Sequence, residues 1–245
     1  MADAKKPLLE IAANSLASAI VAQDAGAHRI ELCASLGEGG LTPTYATISL
    51  ARDRLRIPIH VLIRPRAGDF LYEDPEIETM RCDIEQCVRR GCDGVVVAAL
   101  DADGDVDSAL CRELVAAAGS LGVTFHRAFD MTRDPHRALE DIVALGCERI
   151  LTSGQQPTAS DGAPLIRALI EQAGQRIVVM PGAGIDSRNL GELRTKTGAT
   201  EFHASAKRGR ASAMRHRPMA LADLQGGEVR SDAEEIRRLL AALAG

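Results

Sequence analysis

The stretch Gly26-Ala27-His28-Arg29-Ile30-Glu31-Leu32 sets the architecture, because its pattern returns three more times along the chain. A glycine, a small residue and two further residues lead into an apolar run. Gly91-Cys92 precedes Val95-Val96-Val97, Gly146-Cys147 precedes Ile150-Leu151-Thr152, and Gly198-Ala199 precedes Phe202-His203-Ala204. Each glycine closes a helical stretch, as a left-handed C-terminal cap does. Cys92 and Cys147 stand where the other two copies carry alanine, so they read as small packing residues. Four more strand-like runs lie between the copies: Leu8 to Ala12, Ile59 to Ile63, Val123 to Phe125 and Ile177 to Met180. Helical segments separate them, among them Pro75 to Arg90, Ser108 to Ala118, Pro135 to Leu145 and Ala163 to Ala173. Strand and helix alternating in this way over 245 residues predict an α/β fold, a (β/α)8 TIM barrel. A doubly wound open sheet would carry a glycine-rich turn after its first strand. Here the first strand runs into Ala13-Asn14-Ser15 instead.

No linker divides the chain, so residues 1–245 are expected to form one barrel domain. Residues 207–245 depart from the repeat. Lys207 to Arg217 is basic and free of acids, and reads as a solvated loop on the pocket side. A closing helix is expected from Ser231 to Leu243, with Ser231 and Glu234 as a capping box. Aromatics are few, with 4 Phe, 2 Tyr and no Trp, which leaves little to stack on bases. The net charge of −5 gives no general attraction for nucleic acid or acidic membranes. No apolar run is long enough to span a bilayer, and the N-terminus lacks the apolar stretch of a secretion signal. A cytoplasmic protein is expected. Its 6 scattered cysteines, with no Cys-x-x-Cys pair, agree with a reducing compartment.

Five ionisable residues sit inside the strand-like runs: Glu10, Glu31, His60, His126 and His203. Strands buried on both faces tolerate a charge only where it is paired or faces a pocket. One such histidine would read as a hydrogen-bonded core residue. Five on strands 1, 2, 3, 5 and 8 read as a catalytic or binding cluster near the C-terminal rim. Their oxygen and nitrogen atoms suit acid–base catalysis, or a divalent metal such as zinc, manganese or ferrous iron. The segments after the strands supply candidates for an anionic substrate: Arg64 and Arg66, Asp130, Ser153, Gly182 and Gly184, and Ser205. The arginines could equally pair with local carboxylates, and the glycines could simply make a tight turn.

Several long stretches resemble the copper homeostasis protein CutC family: ANSLASA (Ala13 to Ala19), RIELCASLGEGGLTPTY (Arg29 to Tyr45), HVLIRPRAGDFLY (His60 to Tyr72), VTFHRAFDMTRDP (Val123 to Pro135), RILTSGQ (Arg149 to Gln155), MPGAGI (Met180 to Ile185) and EFHAS (Glu201 to Ser205). The resemblance spans nearly the whole chain. It implies a TIM-type barrel, a cytoplasmic homo-oligomer (dimer or larger), and copper handling. It also makes Cys33, in the family's Glu-Leu-Cys motif, the candidate copper(I) thiolate. Ser35, Leu41 and Ala183 depart from the family's usual Asn, Thr and Gly. Two functional expectations therefore stand together. One is a copper(I)-binding homeostasis protein. The other is a barrel enzyme acting on a small anionic, sugar-like or phosphorylated metabolite.

Overall fold

The computed structural model describes residues 6–216 and 226–244. The chain alternates β1 (Leu8–Ala13), α1 (Leu16–Asp24), β2 (Arg29–Leu32), α2 (Tyr45–Arg54), β3 (Ile59–Leu62), α3 (Asp74–Arg90), β4 (Gly94–Val97) and α4 (Ser108–Ala118). It continues through β5 (Gly122–Phe125), α5 (Pro135–Ala144), β6 (Arg149–Thr152), α6 (Ala163–Ala173), β7 (Val178–Pro181), α7 (Leu190–Thr197) and β8 (Glu201–Ala204). The strands are parallel, in the order β7-β6-β5-β4-β3-β2-β1-β8. β7 and β8 lie side by side and close the ring, with no ladder between them among the described residues. This is the expected (β/α)8 barrel. No helix among the described residues is long and apolar enough to cross a membrane.

The repeat is physically what it reads as. Its four glycines, Gly26, Gly91, Gly146 and Gly198, have φ of 97°, 68°, 82° and 73°, a region that L side chains rarely adopt. At the end of α3, Gly91 N–H donates to Val88 O and Cys92 N–H to Cys87 O, which is a Schellman motif. That motif brings its last residue back against the helix, so Cys92 and Cys87 are both buried there. The helix starts are capped by side chains: Ser15, Thr44, Asp107 and Asp134 each accept from a first-turn N–H. Outward-facing strand residues such as Ile30, Val61, Val95, Ile150 and Phe202 are fully buried beneath the helices. They form the main aliphatic core, while the inward faces mix ionisable side chains with apolar ones such as Leu62 and Val96.

The C-terminal region differs from its expected form. Lys207–Arg210 is a strand, β9, exposed throughout and paired antiparallel with β10 (Glu228–Ser231). Its side chains find acids nearby: Arg208 pairs with Asp232 at 2.7 Å. Arg217 lies outside the described residues. The closing helix α8 (Ala233–Ala244) begins one residue after Asp232, whose carboxylate accepts from the N–H groups of Glu234 and Glu235. Ser231 is therefore not the cap. It ends β10, and its N–H donates to Ser18 Oγ at 3.2 Å. The helix packs on α1, α7 and β1, holding the end of the chain against its beginning.

Candidate active site

Two layers of ionisable residues fill the barrel. The lower layer is an ion network. Arg29 on β2 donates from Nε to Glu10 Oε2 on β1, and from Nη2 to Glu201 Oε2 on β8 at 2.8 Å. Arg149 on β6 donates from Nε to the same Glu201 oxygen at 2.8 Å. Arg149 also meets Glu148 Oε2 at 3.0 Å. Burial opposes the charge of Glu10, but Arg29 and His203 outweigh it and hold its carboxyl well below the usual range. Glu10 therefore stays ionised. Sequence patterning does not single out Arg29, Arg149 and Glu201 as site residues. A signal is present all the same, since period two puts Arg29 on the face of Glu31, and Glu201 on the face of His203.

The second oxygen of Glu10 reaches up to the next layer. Oε1 lies 2.8 Å from His203 Nδ1, and Glu10 and His203 are register partners on neighbouring strands. An ionised carboxylate accepts, so His203 donates from Nδ1 and its Nε2 faces the other way. That atom lies 3.8 Å from Glu31 Oε2. Burial pushes the Glu31 carboxyl up to about 7; His203 acts against this and Glu10 adds to it. Burial pulls His203 down, yet the two carboxylates beside it leave it above the usual imidazole value. Glu31 and His203 thus form a coupled carboxyl–imidazole pair, each raised above its ordinary pKa. Both line a cavity of about 600 Å3 at the C-terminal ends of the strands, where barrel enzymes bind substrate.

Across this cavity stands His126, which follows β5 and is 4 % exposed. Its Nδ1 accepts from Ala128 N–H at 3.1 Å, and its Nε2 has no hydrogen-bond partner among the described residues. Burial, and then the charge of Arg64, lower its pKa to about 3, so the ring is neutral. Phe70 packs against it, with ring centroids 5.1 Å apart, and the Arg64 guanidinium lies 5.0 Å over the same Phe70 ring.

The remaining candidates divide. His60 is buried below the cavity, and burial lowers it to about 4. Its ring occupies the space where a Cβ on Gly94 would fall, 2.7 Å from Nε2. Gly184, Ser205 and Lys207 line the cavity together on the β7 and β8 side. Arg64 lines it too, but its terminal nitrogens hold the carbonyl oxygens of Glu38, Gly40 and Gly68 at 2.8, 3.0 and 2.8 Å. It is a fixed charge, not a free fork for an anion. Arg66 does not face the cavity: it pairs with Glu76 and Asp69 on the outside, the local-carboxylate alternative. Asp130 reaches the cavity wall, yet its carboxylate accepts from Arg127 Nε and from the N–H groups of Ser153 and Gln155. Ser153 is fully buried on that carboxylate, its Oγ 2.9 Å away. These two residues clasp the turn after β5 to the turn after β6. Gly182 gives its N–H to Thr152 O, and a Cβ there would meet Leu151 Cδ1 at 2.5 Å. Its smallness serves packing, not ligand approach.

Glu10, Glu31, His60, His126 and His203 do not form one metal cage. Among the described residues no three His, Cys, Asp or Glu side chains are grouped to hold a metal ion. Both Glu10 oxygens are engaged by Arg29 and His203. Cys33 packs on Leu62 and Val96 in an apolar pocket, with Sγ 3.7 Å from Ala13 O. Burial, and the neighbouring Glu31, push this thiol well up. Copper(I) prefers thiolate, so these surroundings do not fit it.

Comparison with known proteins adds the lineage. A family model described as the CutC family matches residues 7–208. A CutC family protein of Xanthomonas campestris pv. campestris (strain B100) is 54% identical over 233 residues, covering 95% of this chain and 97% of that one. One from Xylella fastidiosa (strain 9a5c) is 55% identical over 237 residues, covering 96% and 88%. Among solved structures, the "Putative Copper Homeostasis Protein CutC" of Streptococcus agalactiae superimposes with a TM-score of 0.78 at 33% identity, covering 81% of this chain and 98% of that one. An aldolase, QR15, gives a TM-score of 0.64 at 17% identity over 84% and 93% of the two chains, a likeness of fold alone.

Proposed function

This chain belongs to the CutC family, and we propose that its barrel mouth is the active site of an acid–base enzyme acting on a small polar metabolite. The observation that carries this reading is the chain Glu10–His203–Glu31 at the wall of an open cavity. Glu10 fixes the His203 ring, whose Nε2 faces the Glu31 carboxyl across 3.8 Å. A carboxyl raised to about 7 can take a proton from substrate and return it at neutral pH. Gly184, Ser205 and Lys207 favour an anionic, sugar-like or phosphorylated substrate, with Lys207 supplying the charge. The 6 cysteines are all free thiols, which supports a cytoplasmic setting. Family resemblance favours a homo-oligomer. Copper handling is the second reading. It draws on the name carried by the Streptococcus agalactiae protein, and the donor atoms around Cys33 support it less well.

The test works without a named substrate. The purified protein is incubated in deuterated buffer with panels of sugars, sugar phosphates and hydroxy acids, and each is followed by proton NMR. At least one compound should exchange a carbon-bound hydrogen or turn over. Glu31→Gln should slow that by roughly a hundredfold or more. A panel that stays unchanged would overturn the reading.

A further inference from the structure

The strand pattern predicts that His126 carries protons or holds a metal, and its geometry allows neither. An imidazole nitrogen that accepts a hydrogen bond carries no proton. Ala128 N–H donates to Nδ1 at 3.1 Å, so the single proton of the neutral ring sits on Nε2. A metal ligand or a general base must offer a lone pair at the atom facing the site. Nε2 has none to offer, because its lone pair is already a bond to hydrogen. What His126 does offer is an N–H. That N–H is buried, borders the cavity and has no partner among the described residues. Buried donors without partners are rare because they forfeit hydration. One at a cavity wall points to an acceptor on the ligand.

The surroundings say which acceptor. The ring is wedged against Phe70 and cannot turn away without breaking the Ala128 contact. Arg64, 5.0 Å over the Phe70 ring, places a positive charge near His126, and three backbone carbonyls stop it from swinging onto a ligand. A cationic ligand group is therefore repelled here. An oxygen that gains negative charge during reaction is stabilised by a fixed, dry donor with a cation behind it.

We propose that the Nε2–H of His126 is a fixed donor to a carbonyl oxygen of the substrate, backed by the charge of Arg64. This rests on the reading of the mouth as an acid–base site, and it names the substrate class: a small hydroxylated aldehyde or ketone. The step balances without a further reactant. The Glu31 carboxylate takes the proton from the carbon next to the carbonyl. The C–H electron pair becomes the new C=C bond, and the carbonyl π pair moves onto oxygen. The oxyanion accepts from His126, whose proton stays on nitrogen. Glu31 then returns its proton to carbon. A neutral imidazole with a lowered pKa is suited to this role, since an imidazolium would tend to give its proton away.

The tautomer can be read on the wild-type protein, so the test does not depend on a variant folding. In a long-range 1H–15N spectrum of labelled protein at neutral pH, His126 should be neutral and protonated at Nε2. Millimolar glycolohydroxamate, a planar mimic of the enediolate, should shift that nitrogen. His126→Gln, which keeps an N–H donor, should bind the probe within about threefold of wild type, and His126→Leu should weaken it by about tenfold or more. A proton on Nδ1, a charged ring, or a resonance that the probe leaves in place would overturn the proposal. Glu31→Gln separates the two readings, because it removes the base and keeps the donor. Probe binding that survives in it while wild-type hydrogen exchange is absent sinks the acid–base reading alone. Exchange with an unmoved His126 resonance sinks the donor alone.

Discussion

The lower and upper layers of the barrel interior are both rich in buried ionisable residues and behave differently. Below, Arg29, Arg149, Glu10 and Glu201 satisfy one another, and the polar groups are turned inward on neighbours. Above, Glu31, His203 and His126 each present an atom to a cavity. Burial acts on both layers. In the lower one a partner outweighs it, and Glu10 stays charged. In the upper one Glu31 meets a shared histidine instead of a guanidinium, and burial wins. Pairing builds a foundation, and incomplete pairing leaves reactivity.

The largest expected effect breaks the lower layer. Arg29→Met would leave Glu10 and Glu201 buried with one partner fewer, and removal of one member of a buried pair costs about 3–5 kcal/mol. Urea denaturation should show this loss; a change below about 1 kcal/mol would mean the layer is not a coupled network. Next comes Glu31→Gln in the upper layer. It should abolish most hydrogen exchange while leaving the urea midpoint near neutral pH unchanged or higher, since it removes a carboxylate that burial disfavours. A variant that loses stability and activity together would erase the distinction between the layers.

A pH series sharpens the contrast further. The folded pKa of Glu31 is raised from 4.5 to about 7, so its contribution to stability is full below about 4.5 and is lost as pH rises through 7. His60 and His126 are lowered from 6.5 to about 4 and about 3. Their contribution is full above about 6.5 and is lost as pH falls through those lower values. The melting temperature of wild type relative to Glu31→Gln should therefore fall by several degrees between about pH 4.5 and 7, the histidine contributions being common to both proteins. Equal slopes in the two proteins over that window would show that Glu31 titrates normally. The smallest effect concerns the sulfur of Cys33, beside the upper layer. Cys33→Ala should change copper(I) affinity, measured against a competing chelator, by less than about threefold and cost about 1 kcal/mol of stability. A tenfold loss of affinity would restore the thiol as a copper ligand.

The strands and repeat glycines are legible in the sequence because two periodicities, one local and one of the whole unit, agree. The upper layer is partly legible, because a glutamate or histidine inside an apolar run is conspicuous. Arg29 and Arg149 are not, because each is the first residue of its strand and reads as the polar end of a turn. Their partners lie up to 172 residues away in the chain, beyond any local pattern. Arg64 and Arg66 look alike in sequence. Arg64 is held by the loop preceding α2 and by Gly68, whereas Arg66 is drawn outward by Glu76 on α3. The tautomer of His126 depends on the tight turn that brings Ala128 N–H back to the ring, a detail no pattern of residue types encodes.

The unlaced boundary between β7 and β8 has a mechanical consequence. Around the rest of the hoop, circumferential tension runs through peptide groups. Here Arg149 on β6 grips Glu201 on β8, and Arg29 touches both Glu201 and Met180 of β7. Side chains carry the tension across this one gap. The girth of the barrel beneath His203 is therefore set by a clasp of ions that salt, acid or a single substitution could slacken, while the other seams between staves stay fastened by backbone.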